Sequence, residues 1–193
     1  MSCNSKKLTA GMLYDCVDKP KKGIDGGRAV AINWSDIDLT ATTFDGAKIT
    51  DLVLKAGTTG FAVEWFKDLA SANSAFVPST EDLEGFTHSF LTRIQNASVG
   101  GAERALELSK GTFVYVCETK YKGTNNAEAF KVFGIENGLK LAELTYDTLA
   151  NSGSMLYTVT TEEGSTETYP FNVFLEGDYA TSKATFETLF AEV

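Results

Sequence analysis

No run of about 18 apolar residues occurs in this 193-residue chain, which argues against a membrane-spanning helix. Histidine occurs once, as His88, so a metal site built on several imidazoles is excluded. Cysteine occurs three times, at Cys3, Cys16 and Cys117, with neither a Cys-x-x-Cys pair nor a Cys/His spacing. That count and spacing exclude a zinc ribbon and a disulfide framework. Free thiols in a reducing compartment fit better. Cys117, inside "TFVYVCET", reads as a small buried hydrophobe, and Cys3 and Cys16 would pair only at an oxidising stage. No serine sits in Gly-x-Ser-x-Gly, and no glycine-rich loop matches a phosphate or dinucleotide fingerprint. The opening residues "MSCNSKKLTAGMLYDC" carry two lysines with no apolar run behind them, unlike a secretory signal, so a cytoplasmic place of work or assembly is expected.

Acids that look paired are no more catalytic. Glu81, Asp82 and Glu84, like Glu162 and Glu163, lie in polar sequence where solvated faces are expected. Asp36 and Asp38 lack the spacing and the terminal Glu of a calcium loop. His88 alternates with apolar residues and reads as a core or interface side chain. The expectation is a protein that is not an enzyme and holds no metal or other cofactor.

What is present is charge of uneven sign. Residues 1–28 carry six Lys/Arg against three Asp, a net of +3, whereas residues 135–193 carry two Lys against ten acids, a net of -8. Opposite signs at two ends of one chain invite head-to-tail contact between copies, and the same distribution also suits two solvated surfaces. The acidic body disfavours tight nucleic-acid binding.

With 43% hydrophobic residues and ordinary length, one globular domain over residues 27–193 is expected behind an N-terminal arm over 1–26 that is rich in Lys, Gly and Asp. "RAVAINW" predicts a strand. "AKITDLVLKAGTTGFAVEWFKD" predicts a hairpin turning at residues 57–60. "LASANSAFVPST" reads as an exposed loop around Phe76, and "FTHSFLTRIQ" as a half-buried strand. "SVGGAERALELSKG" predicts a helix stopping at Gly111. Strands are expected in "TFVYVCET", "AFKVFGI", "GSMLYTVTTEE" and "ETYPFNVFLE", with a terminal helix in "YATSKATFETLF". The sum is a mainly β fold, a sandwich or barrel of two antiparallel sheets with a flanking α-helix, an extended N-terminal arm and a long loop.

Taken in order, the "MSC" arm, "GIDGGRAVAINWSDID", "GTTGFAVEW", "AERALELSKGTFVYVCET" and "KVFGIENGLKLAELTYDTLANSGSMLYTVTTEE" resemble tail tube proteins of phages infecting Bacteroidetes, a group similar in fold to the type VI secretion tube. The resemblance covers most of the chain. It implies a homo-oligomeric structural protein of the virion tail, assembled in the host bacterial cytoplasm as stacked rings, typically sixfold. Its partners would be copies of itself, other tail or connector proteins, and double-stranded DNA that passes through without tight binding; no membrane is implied. Lys6, Lys7, Lys21, Lys22, Phe76 and Val77 would then serve subunit and ring contacts. A DNA channel should repel phosphate, which makes Asp147, Glu162, Glu163 and Glu167 candidates for its lining. Two other readings stay open: a head-tail connector component, and a carbohydrate-binding or adhesin-like sandwich suggested by Trp34, Trp65 and the Tyr-rich strands.

Overall fold

Seven residues, 113–119, alternate bulky side chains to two faces, and both faces are buried. This stretch is the middle of the fold. The computed structural model describes residues 8, 10–13, 16, 19–66, 69–78 and 84–189. In chain order the strands are β1 (Ile24–Asn33), β2 (Thr43–Asp45), β3 (Lys48–Asp51), β4 (Phe61–Glu64), β5 (Ser71–Val77) and β6 (Gly85–Ile94), then β7 (Phe113–Thr119), β8 (Phe130–Phe133), β9 (Leu139–Tyr146), β10 (Met155–Thr161) and β11 (Asn172–Phe174). Helix α1 (Val99–Lys110) lies between β6 and β7, and helix α2 (Tyr179–Thr188) follows β11.

The fold is mainly β with flanking helices. The hydrogen-bonded order is β2-β3-β11-β8-β7-β9-β10-β6-β5, with β1 on β7 and β4 on β1. The two expected sheets are joined into one mixed network, because β7 meets β9 at a single pair, Phe113 with Leu139, and β11 runs parallel to β3. At that thin junction the network folds over. One face of β7 packs Val114 and Val116 with Val30, Ile32, Phe130, Val132, Phe174 and Phe186. The other packs Phe113, Tyr115 and Cys117 against Phe90, Tyr157 and Val159 of the β9-β10-β6 layer. The Phe90 and Tyr115 rings stack with centroids 4.6 Å apart. Each such large side chain removed from water contributes about 1.5–3 kcal/mol. Burial pushes the Cys117 thiol up to about 12, which makes it an inert core group.

The helices form where their ends are satisfied. Ser98 Oγ accepts the Gly101 N–H to start α1, and Asp178 Oδ1 accepts the Thr181 N–H to start α2. No helix among the described residues is long and apolar enough to cross a membrane.

Two expectations are corrected. Residues 57–60 do not turn a hairpin: β3 pairs with β2 and β11, while β4 pairs with β1. Gly60 serves close approach, since a Cβ there would lie 2.4 Å from Val30 Cγ1 and 2.9 Å from the Leu189 carbonyl oxygen. Second, most of 69–80 is no loop. Residues 71–77 form β5, paired residue by residue with β6. The arm boundary moves slightly as well, because β1 begins at Ile24. The described arm residues before it lie exposed, with Leu8, Met12 and Leu13 at 77%, 87% and 92%.

Candidate assembly surfaces

The β8–β9 connection, residues 134–138, is held from outside rather than by its own length. Gly134 and Gly138 take φ of +80° and +73°, and the Gly138 N–H closes on the Gly134 carbonyl at 2.8 Å. Two buried side chains then pin the turn. His88 Nδ1 accepts the Gly134 N–H at 3.0 Å, while its Nε2 donates to the Tyr169 carbonyl at 2.8 Å. Glu167 accepts the N–H groups of Glu136 and Asn137, one on each carboxylate oxygen, both at 3.0 Å. In return, Glu136 Oε2 accepts the N–H and hydroxyl of Thr168.

This latch places His88 in the core, as its alternation suggested, and corrects the reading of Glu167 as a channel acid. Glu167 is 1% exposed, and burial raises its carboxyl above the ordinary range although both amides pull it down. Burial lowers His88 below its usual 6.5. The imidazole is therefore neutral in the fold, and the unfolded chain takes up a proton first on acidification. Its contribution to stability is complete above 6.5 and is lost as pH falls from there through the lower folded value. Nitrogen-edited NMR of this single histidine is expected to show the Nε2–H tautomer unchanged at pH 6.5, with titration only at lower pH; an ordinary titration midpoint would contradict the latch.

The second surface is an open sheet edge. Phe86 directs its own N–H and C=O to Glu167, at 2.8 Å each. Its β5 partner Phe76 must therefore turn its N–H and C=O away from β6, and the two-residue period extends this to Ser74 and Ala72. β5 is the last strand of its layer, so these backbone groups face outward. Phe76 is 52% exposed with its ring edge-on to Phe86 at 5.5 Å, and Val77 is half-buried beside it. Phe76 thus sits on a paired edge strand, not in an exposed loop.

The remaining candidates separate. Lys6 and Lys7 lie outside the described residues; Lys21 and Lys22 are exposed just before β1. Asp147 closes the β9–β10 turn by accepting the amides of Leu149 and Ala150, which hold its carboxyl below the usual range. Glu162 and Glu163 are exposed at the far end of β10, Glu162 with Lys140 at 2.6 Å. Of the other acid cluster, Glu84 is exposed, while Glu81 and Asp82 lie outside the described residues. Among the described residues no group of three His, Cys, Asp or Glu is placed to hold a metal ion.

Sequence reading missed two polar clusters. Glu118, 6% exposed, accepts from Lys122 and from the Tyr179 hydroxyl, both at 2.6 Å, with Lys183 at 3.5 Å. Burial opposes its charge, yet these partners hold its carboxyl low and tie α2 to the end of β7. Lys131 is the other. It is 6% exposed, in the strand "AFKVFGI", and its mid-strand position among apolar residues was the available signal. Comparisons with family models, curated proteins and solved structures gave no match to this chain.

Proposed function

We propose that this chain is a structural virion protein whose copies polymerise into stacked hexameric rings, forming a phage tail tube through which DNA passes during genome delivery. The observation that carries the reading is the outward-facing β5 edge with its exposed Phe76, accompanied by the bare Leu8, Met12 and Leu13 of the arm. Unpaired strand groups flanked by large apolar side chains suit a subunit that adds further chains. Other tail or connector proteins would cap the tube, and the virion tail, assembled in the host bacterial cytoplasm, would be its location. The tryptophans give the sugar-binding alternative little support, because Trp65 is 8% exposed in the core and Trp34 donates its indole N–H to the Ile135 carbonyl.

In this reading the outer face of the β9-β10-β6 layer lines the channel. That face offers exposed Glu143 opposite Thr158, while its cations, Lys140 opposite Thr160 and Arg93 opposite Leu156, are engaged by Glu162 and by the Asn151 carbonyl and Ser154 hydroxyl. Replacing Glu143 by lysine should leave tubes intact but make them retain double-stranded DNA in low salt. Each new phosphate contact should add roughly 0.9 to the salt-dependence slope. Equal and negligible retention by wild-type and variant tubes would place this face on the outside.

A further inference from the structure

Lys131 is a cation built into the body without an ion pair among the described residues. Its ammonium lies 4.5 Å from the Phe171 ring centroid and 5.9 Å from that of Tyr121, and among the described residues it has no carboxylate within 4.0 Å. It lines a cavity of about 820 Å³ together with Lys21 and Lys22, and among the described lining residues Glu128 is the one acid of the cavity body. Burial lowers the Lys131 ammonium below its ordinary value, against the opposing pull of Glu128. The chain as a whole is acidic, at -9, so this concentration of positive charge is local.

The complementary charge lies at the other end of the same strand. β7 finishes at Thr119, beside the cavity; it starts at Phe113, which pairs with Leu139. Leu139 pairs in turn with Thr161, the residue before the exposed turn carrying Glu162 and Glu163. Six strand steps separate the two ends by roughly 20 Å, so the turn of one copy cannot reach its own cavity. Glu163 has no ion pair or hydrogen bond among the described residues, and the exposed Lys140–Glu162 pair is of a kind easily exchanged.

We infer that the Lys131 cavity receives the Glu162–Glu163 turn of a second copy, a head-to-tail contact that rests on the self-assembly proposed above. A heterologous contact of this kind does not close on itself and extends along an axis. It assigns Glu162 and Glu163 to stacking rather than to the channel wall.

The test uses full-length protein and exposed side chains first. Lys21→Glu with Lys22→Glu, and separately Glu162→Lys with Glu163→Lys, should each raise the protein concentration needed for half-assembly at least about tenfold at low salt. Combining the two pairs in one chain should restore assembly. Lys131→Met, which keeps the aliphatic stem between the rings, should weaken assembly and its salt dependence while leaving the melting temperature within a few degrees. Carbodiimide cross-linking of an equal mixture of light and 15N-labelled protein should give mixed-isotope links from Lys21, Lys22 or Lys131 to Glu162 or Glu163. Tubes that form without these links, or charge reversals that fail to rescue one another, would overturn this contact while leaving the tube reading in place. Retention of inorganic phosphate or DNA by the cavity in assembled tubes would likewise overturn it. A wild-type chain that stays monomeric at every concentration would overturn both.

Discussion

Glu167→Ala is expected to destabilise the protein by about 3 kcal/mol, because two part-buried amides, those of Glu136 and Asn137, together lose the charged acceptor that the buried Glu167 supplies. For a chain of this length that corresponds to a fall of roughly 6–12 °C in melting temperature. The effect should be local in origin: backbone protection in hydrogen exchange should be lost first across residues 134–138. Glu167→Gln, which keeps one acceptor and brings one donor against an amide, should recover only part of the loss. A change under about 1 kcal/mol would mean that the turn is held by its own glycines and by His88 instead.

Phe76→Lys should abolish assembly while leaving a folded subunit. Lysine on an edge strand opposes the addition of another strand, and it removes the largest exposed apolar side chain of β5. The cost to the isolated fold is limited to the edge-on contact with Phe86, about 1 kcal/mol. Sedimentation would show monomers at concentrations where the wild type assembles, with circular dichroism unchanged. Retained assembly would show that β5 is not a contact edge. A large loss of stability would mean that Phe76 carries more of the monomer's packing than its half-exposed ring indicates.

The parts of this fold legible in sequence are those governed by local pattern. α1 announced itself by its apolar spacing and its stop at Gly111, and the β7, β8 and β10 strands by β-branched and aromatic runs. The inward side of β6 was readable from the alternation of Phe86, His88, Phe90, Thr92 and Ile94, of which His88, Phe90 and Thr92 are buried while the alternate residues 87, 89, 91 and 93 are only half-buried. What was not legible depends on partners distant in sequence. β5 is made of small polar residues that form a strand only because β6 offers them a ladder. Gly60 looks like a turn glycine until β1 passes beneath it. Glu167 looks solvated in "GSTETYP", and its burial follows from two amides 30 and 31 residues upstream. Lys131 shows the limit from the other side: its strand was predicted, but its place beside the Tyr121 and Phe171 rings, with no ion pair among the described residues, emerges only in the fold.

The central claim is that this chain assembles with itself into an open-ended tube, and electron microscopy of the purified wild-type protein across a range of concentrations tests it most directly. The account predicts rings at intermediate concentration and stacked, hollow tubes with a continuous channel at high concentration, both weakened by salt. Monodisperse single subunits at every concentration and ionic strength would contradict it.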